Sequence, residues 1–113
     1  MVRQEMQMRD CLAALTLAMG LGALCLAAVA DDDAKAKSYG RHLAQECTGC
    51  HRIDGTDNGI PSIIGWDANR FVRTLEFYRT GERTNPVMVS VVKSLDDTQV
   101  RALAAYYASL PRK

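Results

Sequence analysis

Cys47 and Cys50 lie three positions apart and His51 follows directly, in the run Cys47-Thr48-Gly49-Cys50-His51. Cys-x-x-Cys-His is the sequence by which a haem becomes covalently attached to a chain. The two thiols add across the two vinyl groups of one porphyrin, so they must sit about one helical turn apart on one side of the backbone. The histidine, one step beyond the second thioether, is then held beneath the ring and ligates the iron. The chemistry expected of such a group is movement of single electrons.

Cys-x-x-Cys also serves zinc sites and thiol–disulfide oxidoreductases. A structural zinc site needs four ligands, yet no Cys follows Cys50 and no His follows His51. A thioredoxin-like site needs a βαβ framework, and no strand-rich stretch precedes the motif. A chance occurrence in a structural loop is the remaining alternative. The export pattern at the N-terminus weighs for haem attachment.

Arg3 and Arg9 stand in a short polar start, and Leu12 to Ala30 is an unbroken apolar run rich in Ala and Leu. The run closes with Ala28-Val29-Ala30, a small-x-small pattern, before Asp31-Asp32-Asp33. Residues 1–30 are therefore read as a cleaved secretory signal peptide. The competing reading is an uncleaved membrane anchor, because the run is nearly long enough to span a bilayer. A lipidated Cys25 fits poorly, since bulky Leu24 precedes it. Export and haem attachment support each other, because this attachment takes place outside the cytoplasmic membrane, and the expected location is the periplasm. Cleavage would remove Cys11 and Cys25, committing both remaining cysteines to haem and leaving no thiol for a disulfide.

Residues 31–113 leave 83 positions, enough for one domain with one core. A chain this short usually needs a staple, and a covalently bonded apolar disc is one. This segment carries 12 Lys and Arg against 11 Asp and Glu, a balance that argues for neither nucleic acid nor a membrane surface as partner. Only an uncleaved N-terminus would bring a membrane in.

Three main helices are expected. The first, about 34–46, leads into the motif with Tyr39, Leu43 and Ala44 on one side. The second, about 68–80, carries Phe71, Val72, Leu75 and Tyr78 on one face, with Gly81 at its C-terminal cap. The third is expected to start at Ser94 as N-cap, with Asp97 in a capping-box position. It carries the stripe Val100, Leu103, Ala104, Tyr107 and Leu110, and Pro111 ends it. Residues 52–66 are rich in Gly, Pro, Asp and Asn and read as loop. Met88, Val91, Val92 and Leu95 recur at helical spacing and predict a short extra helix or turn. No stretch alternates long enough to demand a sheet, so the domain is expected to be all-α.

The second axial position of the iron decides between carrying electrons and binding small molecules. After residue 30, Met88 is the only methionine and His42 the only histidine besides His51. Met88 follows Asn85-Pro86, which reads as a loop aiming a side chain at a metal, 37 residues after His51. A gap-filling core methionine is its alternative role. His42, five residues before Cys47, is tethered to the side His51 already holds, and a solvent-facing role suits it better. A thioether favours ferrous iron, so His/Met ligation raises the reduction potential and closes the iron to oxygen chemistry.

In order, these elements resemble the small class I bacterial cytochromes c. The resemblance rests on Gly40-x-x-Leu43-Ala44, Cys47 to His51, Gly59-Ile60-Pro61-Ser62-Ile63-Ile64-Gly65, and Tyr78-Arg79-Thr80-Gly81-Glu82-Arg83. It continues through Asn85-Pro86-Val87-Met88 and Leu103 to Leu110, so it covers residues 31–113 as one cytochrome c domain. The branch most similar includes short soluble carriers and the cytochrome subunit of flavocytochrome c sulfide dehydrogenases. The resemblance implies thioethers at Cys47 and Cys50, axial His51 and Met88, and a Pro61 carbonyl accepting a hydrogen bond from the His51 ring. It also implies that Gly40 lets the first helix cross the last near Tyr106.

Trp66 departs from the pattern, where a smaller or polar residue is expected. It either covers a haem edge with its indole N–H near a propionate or packs in the core. Arg70, Arg73, Arg79 and Arg83 form a basic band, read as a solvated face or as groups that pair propionates or dock an acidic partner.

Two functions follow. The first is periplasmic single-electron transfer through one haem c, between a donor dehydrogenase or quinol-oxidising complex and an acceptor oxidase or cytochrome. The alternative is the haem-bearing, electron-accepting subunit of a multi-subunit dehydrogenase that oxidises sulfide or another sulfur compound, with any flavin on another chain. An apolar patch from Ile60, Ile63 and Ile64 beside Trp66 would favour the subunit, though pocket lining explains those residues equally. A gas sensor with an open iron would require Met88 not to ligate. No free Cys or His–acid pair in residues 31–113 points to catalysis by the chain itself.

Overall fold

In a computed structural model of the chain, residues 22–112 are described, and all regular structure among them is helical. Four helices follow in order: α1 (Gly22–Leu43), α2 (Ala68–Thr80), α3 (Pro86–Lys93) and α4 (Asp97–Ser109). The chain divides into two compact units between Asp32 and Asp33. Of the first, Gly22 to Asp32 are described and are helical. Most of the expected signal segment lies outside the described residues, and no described helix is long and apolar enough to cross a membrane.

Helix α1 begins well upstream of the expected start at 34, because the Ala- and Leu-rich segment before Asp31 is itself a good helix former. It also stops three residues short of the expected end at 46. From His42 on, the bonds shorten to i→i+3: Gln45 to His42, Glu46 to Leu43 and Cys47 to Ala44. This tightening winds the chain into consecutive turns through Cys50.

Helix α2 has the expected bounds. Asp67 caps it, its carboxylate accepting from the Arg70 N–H at 2.9 Å, and Gly81 ends it at φ 86°. Phe71 and Leu75 on its inner face are buried. The short element expected around Met88 is a full two-turn helix. The Asn85 side chain accepts from the N–H groups of Val87 and Met88, and Pro86 occupies the first turn, where its missing N–H is harmless.

Helix α4 does not start at Ser94. The Ser94 hydroxyl donates to the Val91 carbonyl at 2.7 Å and closes α3 instead. The N-cap is Asp96, which forms a reciprocal capping box with Gln99 at 2.8 and 2.9 Å.

The core gathers Ala44, Ile63, Ile64, Phe71, Leu75, Val92, Val100, Leu103, Ala104 and Tyr107. Val92, Leu103 and Tyr107 are almost wholly enclosed, and the Phe71 and Tyr107 rings stack at 5.5 Å. Helix α2 packs on both α3 and α4. At the crossing of α1 and α4, a Cβ on Gly40 would lie 2.0 Å from the Ala102 carbonyl oxygen and 2.8 Å from the Tyr106 Cβ. Only a residue without a side chain allows that approach, as the resemblance implied. These contacts set the Cys47–His51 turns against the core, facing α2 and α3.

Candidate functional site

A mostly apolar cavity of about 280 Å³ opens between the turns that follow α1, the 52–66 loop and helices α2 and α3. Cys47, Cys50, His51, Pro61 and Met88 all line it, so the residues singled out in the sequence come together from three separate stretches. Leu43, Ile63, Phe71, Leu75 and Leu103 supply the apolar walls. Cys47 is half-buried and Cys50 exposed, and both are free of disulfides. Among the described residues, no group of three or more His, Cys, Asp and Glu side chains gathers around a point as for a bare metal ion.

The two thiols are placed by a helical turn. The Thr48 N–H reaches the Ala44 carbonyl at 3.0 Å, Cys50 reaches Cys47 at 3.2 Å, and His51 reaches Cys47 at 2.8 Å. His51 Nδ1 lies 2.7 Å from the Pro61 carbonyl oxygen. A carbonyl only accepts, so Nδ1 is the nitrogen that carries the proton. The lone pair of Nε2 is thereby left free for a metal.

Beneath the turns, burial pushes the Cys47 thiol upward from its ordinary value, despite the nearby Tyr107 hydroxyl. Burial likewise pushes the Tyr107 hydroxyl far upward, reinforced by Cys47. That hydroxyl is enclosed and meets no partner of good hydrogen-bond geometry.

Met88 is half-buried in the first turn of α3, with Val91 one turn on and Leu95 beyond the helix end lining the same cavity. Its neighbours Val87 and Val91 are exposed on the rim. His42 is exposed on α1 and is not among the residues of the cavity wall.

Trp66 lines this cavity and also a second, polar one of about 240 Å³ formed with Gly55, Ser62, Ile64, Arg70 and Arg112. The Arg70 guanidinium lies 4.1 Å from the Trp66 ring centroid, a cation–π contact. Arg112 reaches back to donate to the Gly65 carbonyl at 2.8 Å, and a Cβ on Gly65 would lie 2.4 Å from its Cγ. The buried Ser62 hydroxyl is unpartnered. Arg112 and Ser62 were not singled out in the sequence. An arginine two residues past a helix-ending leucine and a serine after a proline carry no pattern that separates them from ordinary surface residues.

Two sequence readings change. Ile63 and Ile64 belong to the core, each 8% exposed, so with Ile60 they do not make a surface patch. The basic band is not one free face. Arg70 lies on Trp66, Arg83 lies 5.7 Å from the Tyr78 ring centroid, and Arg79 is bound to Glu76 and Asp97.

No protein-family model matches the chain. It is 36% identical over 112 residues to a thiosulfate dehydrogenase electron acceptor of Thiomonas intermedia, covering 96% of this chain and 48% of that protein. It is 32% identical over 99 residues to the thiosulfate dehydrogenase electron acceptor of Stutzerimonas stutzeri, covering 81% of this chain and 46% of that protein. With cytochrome c4 of Pseudomonas aeruginosa it shares 31% identity over 104 residues, 90% of this chain and 49% of that protein. The chain thus spans about half the length of these relatives.

Proposed function

The chain is a small c-type cytochrome, and we propose that it transfers single electrons in the periplasm through one covalently held haem. Cys47 and Cys50 would hold the haem covalently, and His51 and Met88 would offer its iron an imidazole nitrogen and a thioether sulfur. The observation that carries this reading is the convergence of Cys47, Cys50, His51, Pro61 and Met88 on one apolar cavity. The donor set fits the group: two thiols one turn apart, an imidazole with Nε2 free, and a thioether from a different element. When bound, haem supplies an iron that gains and loses one electron.

The rest is the work of the chain. Pro61 holds the His51 ring in one tautomer and one orientation. The apolar walls keep water from the centre, so little solvent must reorganise as charge changes. With both His51 and Met88 supplied by the chain, the same residues would hold the group in either oxidation state. The polar pocket of Trp66, Arg70, Arg112 and the unpartnered Ser62 hydroxyl suits the haem propionates, which would otherwise meet an apolar rim.

A second reading is favoured by the relatives named as thiosulfate dehydrogenase electron acceptors. Here the chain is the electron-accepting haem partner of a sulfur-compound-oxidising dehydrogenase whose catalysis lies on another chain, with or without a flavin.

The test of the haem reading is production in a host that exports and attaches haem. The expected product has the mass of residues 31–113 plus one haem, keeps its colour after denaturation, and titrates as one one-electron couple. Haem that dissociates on denaturation would overturn it. Untagged purification from native periplasm at low salt separates the two roles, since a stoichiometric dehydrogenase chain would travel with a subunit and not with a free carrier.

A further inference from the structure

We infer that Arg79 is a positioning residue for Met88, clamping the far end of the helix that carries it. The inference rests on the reading of Met88 as the sixth ligand. Arg79 stands in the last turn of α2, and its Nη1 donates to Asp97 Oδ1 at 2.8 Å and to Glu76 Oε2 at 3.1 Å. Its Nη2 makes a longer contact, 3.4 Å, to the Leu95 carbonyl oxygen. Glu76 belongs to the same helix, whereas Leu95 and Asp97 belong to the junction where α3 ends and α4 begins.

That junction decides where α3 sits. Ser94 and Leu95 close α3 through bonds to Val91 and Val92, and Asp96 opens α4 immediately afterwards. A single residue, Leu95, separates the C-cap Ser94 from the N-cap Asp96, so its carbonyl falls outside both helices and takes its partner from Arg79. The Leu95 side chain, like those of Val91 and Met88, lines the cavity. Movement at Leu95 therefore transmits along one wall to Met88. At its N-terminal end α3 is held by the Asn85 cap, and at this end by a charge-assisted bond across elements.

The Arg79 side chain is 33% exposed and that of Asp97 69%, so the pair adds little to overall stability. Its effect is local. Loosening it should ease the excursion in which Met88 leaves the iron while the rest of the fold stays intact.

The test is displacement of Met88 by imidazole in the oxidised holoprotein, followed through the sulfur-to-iron charge-transfer band. Arg79→Gln and Asp97→Asn should each tighten apparent imidazole binding roughly two- to five-fold, the range set by a modest exposed ion pair. The double variant should add nothing further. Glu76→Gln should match the parent protein, because it cuts no bond between elements. High salt should move the parent protein toward the variants and leave them unchanged. Thermal midpoints within about 2 °C of the parent would separate positioning from general destabilisation. The clamp is overturned if Arg79→Gln binds imidazole as the parent does, or if Glu76→Gln behaves like Asp97→Asn. Met88→Ala is the control. Imidazole binding unchanged by that substitution would mean that Met88 is not the ligand, whereas tighter binding in Met88→Ala with no effect at Arg79 would remove the clamp alone.

Discussion

The two walls of the cavity place His51 and Met88, the proposed ligands, by different means. On the His51 side, the chain itself does most of the work. Two thiols, a turn and an imidazole are fixed within five consecutive residues, and one bond to the Pro61 carbonyl sets the ring. On the Met88 side nothing local suffices. The thioether stands on an eight-residue helix held by a cap at one end and, at the other, by Arg79 of α2 reaching the Leu95 carbonyl and the first residue of α4. The first wall is rigid because its parts are neighbours in sequence. The second is only as rigid as the packing and polar contacts that meet on it, so it is the wall through which an exogenous ligand should enter.

The largest expected contrast comes from removing one ligand on each wall. His51→Ala should abolish recovery of the normal haem protein, read as loss of haem-linked absorbance and haem stain. Met88→Ala should keep the covalent haem but open the iron. Its reduced form should bind carbon monoxide, and its potential should fall by a sizeable fraction of the roughly 0.8 V that axial ligation spans. Equal haem yields from both variants, or a Met88→Ala protein as closed as its parent, would break the distinction.

Next in size is Gly40→Ala. Its methyl group would meet the Ala102 carbonyl at 2.0 Å and force α1 off α4, at a cost of about 2–4 kcal/mol in chemical unfolding. The strain enters behind the Cys47–His51 turns, so haem attachment should suffer before imidazole access does.

A smaller effect of opposite sign is expected at Tyr107→Phe. The hydroxyl is enclosed without a well-formed hydrogen bond, so removing it should stabilise the protein by about 1 kcal/mol and raise the thermal midpoint by about 4–8 °C. A loss of stability instead would mean that the contact with the Cys47 sulfur is itself stabilising.

The smallest effect lies in the exposed loop. The Arg52 guanidinium, with Thr56, holds the Asp54 carboxyl well below the usual carboxylate range. A depressed native pKa contributes stability that is complete above the unfolded value near 4 and fades as pH falls through the native one. Asp54→Asn should therefore be slightly less stable at neutral pH and converge with the parent in strong acid.

Legibility in the sequence follows the same division. The Cys47–His51 motif, the face of α2 and the stripe of α4 are local patterns, and the structure places them as the sequence implied. The start of α4 was misplaced because Ser94 can serve either helix. Its hydroxyl turns back to Val91 only because α3 already exists to receive it. The short helix around Met88 was legible from the spacing of Met88, Val91, Val92 and Leu95, and its packing against α2 completes a periodic signal only eight residues long. Arg79 was read with Arg70, Arg73 and Arg83 as one basic band. Its partner Asp97 is 18 residues away, and no local rule connects them. Ile63 and Ile64 appeared equally suited to a surface patch or a pocket lining, and only their burial decides.

The central claim is that Met88 and His51 face each other across one haem. It is tested most directly by proton NMR of the reduced holoprotein with methionine methyl groups labelled. Of the five methionines in the sequence only Met88 lies beyond residue 30, so the processed holoprotein should show one labelled methyl, which Met88→Leu removes. The account predicts that this one methyl is shifted far upfield by the ring current of the haem it sits against. A Met88 methyl at an ordinary methionine position would contradict it and leave the iron with some other sixth ligand or none.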